Sequence, residues 1–507
     1  MGVVMRTRTS TRQDCPGDVA LRQSRRGFFH RAADGVHGAA LTYLLGRDVF
    51  AQEGLPAPTL QPASGGPRQG YDLSSRQTHF PARARSVIHL FMNGGPSQVD
   101  LFDPKPALDR MHGQSYFSEI AQDVSSPQQA GGLLRSPYKF AQYGDSGTIV
   151  SEVMPHLARQ VDEIAVIRSM YNSHPNHEPA LFKIHSGRLL PGRPALGAWV
   201  VYGLGTENQS LPAYVVLDDP LGLPVNTVQN WQAGFLPPVY QGSRIRSTGS
   251  PILNLRPEAD RPAVIDRLQG DLLSRLDEIH RRQRPGMLQL DARIKSYELA
   301  ARMQLEASDA LDIGQESQRT LELYGVGKKP TDSYARRCLM ARRLVERGVR
   351  FVQLYINGQI WDNHNGLQNG LKTACDRTDQ PVAALLTDLK QRGLLNETLV
   401  VWGGEFGRLP IAQIPEGKDL SSAGRDHGPR GFSLWMAGGG IKGGVTYGGT
   451  DEIGFAAAEN PVSIADWHAT ILHQLGLHHD HLFFDRNGLH EKLTDTFKPR
   501  IVKEILA

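Results

Sequence analysis

The chain has 507 residues, 40% hydrophobic and 21% charged, with 53 Gly, 32 Pro and 3 Cys, a balance that fits a globular protein and excludes a disulfide-dense scaffold. No run of about 18 uncharged apolar residues occurs, which excludes a multi-span membrane protein. Of 56 basic and 52 acidic residues, eight Arg and four Asp fall within residues 1–51, so the net charge of +4 sits there; the body, with 48 of each sign, makes no compositional case for nucleic-acid binding.

The basic excess belongs to an export address. Ser24-Arg25-Arg26-Gly27-Phe28-Phe29-His30 resembles the twin-arginine signature, with His30 where Lys is commoner. A mildly apolar stretch follows from Ala39 to Leu45, and Ala51 supplies the small residue expected before a cleavage point. Residues 1–51 are therefore expected to be a twin-arginine signal that sends the chain to the periplasm or the cell exterior. That route moves folded proteins, which suits a chain that acquires metal before export. Residues 52–77, rich in Pro, Gly and Gln, read as a linker. Residues 78–507 read as a single domain with a helical insertion at about 255–330. Cys15 lies in the signal, and Cys338 and Cys375 are expected to be buried thiols.

Ser86 to Met92 is a short apolar run that ends at Asn93-Gly94-Gly95-Pro96, the pattern of a buried strand stopped by a turn. Ile164 to Arg168 is a second such run. Pro179 to Ser186 and Ala195 to Tyr202 predict helices, and Ala213 to Leu217 a strand. Residues 261–304 alternate aliphatic and charged residues at helical spacing, broken at Pro285-Gly286; they predict a helical hairpin or outlying lid whose charges face solvent. Then come a helix (Tyr334 to Arg347), a strand (Val349 to Ile356), a helix (Pro381 to Gln391) and strands at Leu399 to Trp402 and Phe432 to Ala437. Ser463 to Leu475 is the closing helix. Strands alternating with helices predict an α/β sheet covered on both faces.

In such sheets ligands collect beyond the carboxyl ends of the strands. The segments there carry Asn93, Asp100 and Asp103; Ser173-His174-Pro175-Asn176-His177-Glu178; Trp361-Asp362-Asn363-His364; Glu405-Phe406-Gly407-Arg408; and Arg425-Asp426-His427-Gly428. Hydroxyl, carboxylate, imidazole and amide oxygen together make the composition of a divalent-metal site with oxygen and nitrogen ligands. Asp362 and His364 are two apart, so in an extended segment both side chains fall on one face and could grip one ion.

Asn93-Gly94-Gly95-Pro96-Ser97, Phe102-Asp103-Pro104-Lys105-Pro106, Gly404-Glu405-Phe406-Gly407-Arg408, Gly424-Arg425-Asp426-His427, Ala437 to Gly444 and Asp466-Trp467-His468-Ala469-Thr470 resemble the sulfatase-like family catalogued as domain of unknown function 1501. The resemblance runs from about residue 85 to 490. That family resembles the alkaline phosphatase superfamily, which implies a metal-bearing α/β sheet and hydrolysis of phosphate or sulfate esters. On that pattern Asn93 stands where the superfamily has an Asp ligand. Ser173 takes the nucleophile slot, with His174 or His177 to take its proton. Asp362, His364 and His427 hold one Zn2+ or Ca2+ ion, with Asn93, Glu405 and Ser173 left for a second, so one ion is expected rather than two. Phe406 replaces an imidazole. Ser173 to His177 has His where the formylglycine signature of classical sulfatases needs Arg, so that chemistry is not expected.

The implied substrate is a small-molecule or polysaccharide ester. The alternative is a non-catalytic protein on a retained hydrolase fold, binding polysaccharide or a cell-envelope partner. Arg408 can neutralise an oxyanion or form a salt bridge; Asp426 is a candidate for substrate contact or support, and Asp103 a ligand or a structural corner. His468 and His473 are expected to pack or cap, His478 to His481 to form a polar loop, and the glycines of 438–444 to make tight turns. Trp231 and Phe235 line a pocket or pack.

Overall fold

The computed structural model describes residues 73–247 and 263–507; the segment expected to be a signal and all but the end of the expected linker lie outside the described residues. Nine strands form the main sheet: β1 (Ser86–Phe91), β2 (Ile164–Tyr171), β3 (Tyr214–Leu217), β4 (Ser243–Ile245), β5 (Phe351–Tyr355), β6 (Thr398–Gly403), β7 (Phe432–Ala437), β8 (Val445–Tyr447) and β9 (Val462–Ser463). Their order is β8-β2-β7-β6-β1-β5-β3-β4, with β9 also paired to β2. Every pairing is parallel except those of β7, which runs antiparallel to β2 and β6. The reversal has a consequence for the site. The residues that precede β7, including His427, reach the pole where the parallel strands end.

The central strands are continuous apolar runs because both faces are covered. Ile88, Leu90, Val352, Leu354, Val400 and Trp402 pack on one side with helices α5 (Asp332–Glu346) and α6 (Leu367–Gln391). The alternate residues Val87, Phe91, Phe351, Tyr355, Leu399 and Val401 pack on the other with α1 (His177–Ser186), α2 (Leu196–Leu204) and α7 (Ile464–Gln474). Trp231 joins that second core, and His468 on α7 is buried with Nε2 on the Ile184 carbonyl at 2.8 Å. Cys338 and Cys375 are buried and unpaired. Ser463 and Asp466 close a capping box at the start of α7.

Two expectations change. Pro381 does not open a helix: α6 starts at Leu367 and carries Pro381 in its interior. Its buried face (Leu371, Ala374, Thr378, Val382, Leu385 and Leu389) has helical spacing across the proline, and its packing outweighs one lost backbone bond. The hairpin of α3 (Ala263–Gln283) and α4 (Leu288–Leu311) breaks where expected, but α3 presents more than charge to solvent. Leu268, Leu272, Leu273, Leu276 and Ile279 are also exposed.

The loops at the site's pole are tied by one buried ion pair. Arg425, just before β7, donates to Asp100, just after β1, through Nε at 2.7 Å and a terminal nitrogen at 3.1 Å. Neither side chain is solvent-exposed. Arg425 also donates to the carbonyls of Leu134 and Pro410. Removing one partner strands the other charge out of water. Asp100→Ala is thus expected to lower unfolding stability by about 3–5 kcal/mol in urea titrations. The apolar double replacement Asp100→Leu/Arg425→Met should recover much of that loss.

Candidate metal centre at the carboxyl pole of the sheet

Four segments that are distant in sequence deliver side chains to one point. His177 is the first residue of α1, Asp362 and His364 follow β5, Glu405 and Arg408 follow β6, and His427 precedes β7. One ligand atom from each of His177, Asp362, His364 and His427 lies within 4.8 Å of the others. Asp362 is the hub. Its Oδ1 meets His364 Nε2 at 3.0 Å, His427 Nε2 at 3.2 Å and an Arg408 terminal nitrogen at 2.5 Å. Its Oδ2 meets His177 Nε2 at 3.2 Å.

The hub depends on close backbone approach. A Cβ on Gly94 would stand 2.8 Å from the Asp362 nitrogen, and Gly94 has φ +113°. A Cβ on Gly424 would stand 2.1 Å from the carbonyl carbon of His364, where the loop before β7 touches the loop after β5. Asp362 and His364 do meet, but not through extended chain. Asn363 and His364 donate to the carbonyls two residues back, each at 3.1 Å, so successive tight turns converge the side chains.

Each imidazole is oriented from behind. Glu405 accepts from His177 Nδ1 at 2.6 Å and from the Gly94 N–H at 3.0 and 3.2 Å. Gln413 Oε1 lies 2.6 Å from His364 Nδ1, and the Gln413 amide donates to Gln129 at 2.8 Å. Phe406 packs against His177 and His427, ring centres 4.9 and 4.7 Å away. His427 Nδ1 is a buried ring nitrogen without a partner. Gln413 and Gln129 carry no sequence signal; they matter only because a short strand brings them behind His364.

Electrostatics follow from one anion among several cationic groups. Burial alone would raise the Asp362 carboxyl, but His177, His364, His427 and Arg408 hold it well below the carboxylate range. Burial likewise works against the His177 imidazolium, and the Asp362 and Glu405 carboxylates overcome it, lifting it to about 9. Asp362 also raises His364, against its burial. Burial pushes His427 down to about 4, helped by Arg408 and His177 and opposed by Asp362.

Other expected residues serve other ends. Arg408 is buried and committed: besides Asp362 it donates to the carbonyls of Gly94, Gly95 and Arg425, which answers the choice in favour of the salt bridge. Asn93 Oδ1 accepts from the Ile356 N–H at 3.3 Å, so the oxygen proposed for a second ion already holds backbone. Asp426 accepts from its neighbour His427 N–H and from the N–H groups of Ser125 and Ser126, which makes it a loop anchor. Asp103 is buried against Lys105 at 3.0 Å and against the Thr450 hydroxyl, a structural corner. Ser173 is exposed, and its hydroxyl bonds to no described residue. His174 accepts from the Asn176 N–H at 3.0 Å and is outside the cluster. His177 cannot serve as the base for Ser173 in this arrangement, because carboxylates occupy both ring nitrogens.

The family described as Protein of unknown function (DUF1501) matches residues 84–506. The chain belongs to that family. No curated protein matches it in sequence. Solved structures similar to it include the lipoteichoic acid synthase LtaP from Listeria monocytogenes, at 10% identity and TM-score 0.31 over 80% of this chain and 76% of that one. The PsFucS1 sulfatase from Pseudoalteromonas sp. has 12% identity and TM-score 0.31 over 78% and 68%. An alkaline phosphatase from the Antarctic bacterium TAB5 has 12% identity and TM-score 0.29 over 71% and 92%. Likenesses this loose decide nothing about chemistry, which must come from the residues.

In the metal-free DUF1501 chain the imidazoles set a pH profile. His177, lifted to about 9, adds stability that is complete below its unfolded value of about 6.5 and lost as pH rises through 9. His427, pushed down to about 4, works oppositely: its contribution is present above about 6.5 and lost as pH falls toward 4. Thermal unfolding in EDTA is expected to peak near neutral pH, and His177→Gln to reduce the alkaline limb most, leaving the share that His364 carries and easing the acid limb slightly because His177 helps to depress His427. An alkaline limb unchanged by that substitution would contradict the pairing.

Proposed function

We propose that this chain is an exported hydrolase of phosphate or sulfate esters that works with one divalent cation. The observation that carries the reading is the convergence of His177, Asp362, His364 and His427 within 4.8 Å. Three imidazoles and one carboxylate fit Zn2+, which takes nitrogen ligands in tetrahedral sets, and not Ca2+, which takes six to eight oxygens. The absence of charge on the His427 ring at neutral pH supports the fit, since a ligand imidazole must be neutral, and His177 and His364, whose carboxylate partners favour the charged ring, would release protons on loading. A divalent cation there supplies Lewis-acid charge to an ester oxygen.

The chain's own residues then have defined tasks. Glu405 and Gln413 fix the ring orientations of His177 and His364, as supporting partners of metal ligands do. Arg408 anchors Asp362 to the turn after β1. Phe406 closes one wall and excludes water. Asn93 bonded to backbone and Phe406 in an imidazole's place support a single ion. Ser173 or a water is the nucleophile; the Ser173 hydroxyl is exposed and uncommitted, four residues before His177. Formylglycine chemistry has no place, because His177 stands where that signature has Arg.

The second reading is a binding protein on the same fold, favoured by the same two departures, Asn93 and Phe406. Turnover separates them. The Zn2+-loaded chain is expected to hydrolyse an aryl phosphate or an aryl sulfate, EDTA to abolish this, and Zn2+ but not Ca2+ to restore it. Asp362→Ala should lower kcat/KM by about 10³-fold. A comparable loss in Ser173→Ala identifies the hydroxyl as nucleophile, whereas wild-type rates in that variant assign attack to water. Equal rates in wild type and Asp362→Ala would leave the binding protein.

A further inference from the structure

Beside the cluster, at the same pole of the sheet, lies a recess of about 1150 Å³. The sheet places it there. Strand β9 runs parallel to the end of β2, with Ser463 beside Tyr171, so α7 begins next to the point where β2 hands over to Ser173 and α1. Tyr171, Ser173, Lys183 on α1, and the chain at 497–499 line the recess.

Its charge is not balanced. Arg188 and Arg193 also face it, and they are neutralised by Asp495 and Glu491. Among the described residues Lys183 has no carboxylate partner: its ammonium donates to the Gly187 carbonyl at 2.9 Å and stands 4.0 Å from the centre of the Phe497 ring. Lys498 forms no ion pair among the described residues. Asp466, the carboxylate in the lining, is already occupied by the Ser463 N–H and hydroxyl and by the Arg500 N–H. Burial and Arg188 draw Lys183 down to about 8, which leaves it largely protonated at neutral pH. Beside these ammonium groups Tyr171 and Phe497 are each 40% exposed; Lys183 and Arg188 lie against the Phe497 ring, so Tyr171 offers the open aromatic face and Phe497 its edge. An aromatic face takes the C–H face of a sugar ring, and a free ammonium takes an acidic substituent.

We propose that this recess binds an anionic glycan, a saccharide bearing sulfate or phosphate groups, and that Ser173 in its wall faces an ester on the same molecule. That the glycan is a substrate rests on the hydrolase reading; that it binds does not.

Calorimetric titration of the full chain in EDTA tests binding without turnover, using sulfated and phosphorylated tetrasaccharides and their neutral counterparts. A charged tetrasaccharide is expected to bind, and its neutral counterpart about tenfold more weakly or not at all. Lys183→Gln/Lys498→Gln should lose about tenfold in affinity, Lys183→Arg/Lys498→Arg should retain it, and Tyr171→Ala/Phe497→Ala should lose about fivefold, all with unchanged Tm. The proposal is overturned if neither charged glycan binds, if charged and neutral forms bind equally, or if the glutamine variant binds like wild type. Glycan binding without aryl-ester turnover would keep this recess and remove the hydrolase. Turnover with unaltered binding in the glutamine variant would do the reverse.

Discussion

A single carboxylate organises this protein's candidate site. Asp362 accepts two imidazoles and a guanidinium from three other stretches of chain, and a third imidazole, His364, from its own. Each of those groups is costly to bury alone, and each is stabilised by the same anion. The arrangement works only if Asp362 stays ionised, which the surrounding donors ensure. It also works only if two glycine-bearing loops come close enough for their backbones to touch Asp362 and His364. The loop geometry and the electrostatics therefore support each other.

The site's position is a property of the sheet before it is a property of any residue. Parallel strands β1, β2, β5 and β6 end at one pole, and whatever follows them gathers there. His427 precedes a strand, and it arrives at the same pole because β7 is reversed. Behind the first ring of side chains stands a second set, buried except for the half-buried Gln129: Glu405 behind His177, Gln413 and Gln129 behind His364, Asp100 behind Arg425. These contacts hold imidazoles in the orientation a cation needs and limit the ways the loops can relax.

The adjoining recess extends the same logic outward. The cluster offers tightly held imidazoles and a carboxylate with little contact area, whereas the recess offers ammonium groups and the exposed Tyr171 ring. Ser173 is common ground, in the wall of one and four residues from the other. On the proposed hydrolase reading, a compact centre next to a broad, charged surface would separate bond cleavage from substrate recognition.

The strand runs at 86–92, 164–168, 349–356, 399–402 and 432–437 could be read from composition, because buried strands are short apolar runs stopped by turns. The hairpin break at Pro285-Gly286 and the span of α7 were equally local. Asp362, His364 and His427 stood out because carboxylate and imidazole after a strand are chemically conspicuous. What could not be read was the assignment of partners. Pro381 looked like a helix start until the packing of α6 overrode it. His177 looked like a base until two carboxylates claimed its ring nitrogens, and Arg408 looked open until three carbonyls and Asp362 filled it. Gln413 was invisible. The sequence alone thus determined the α/β class, the family and the side chains available at one pole. Tertiary structure alone decided which of them meet, because hydrogen bonds of about 3 Å join residues hundreds of positions apart, and no local pattern encodes that distance.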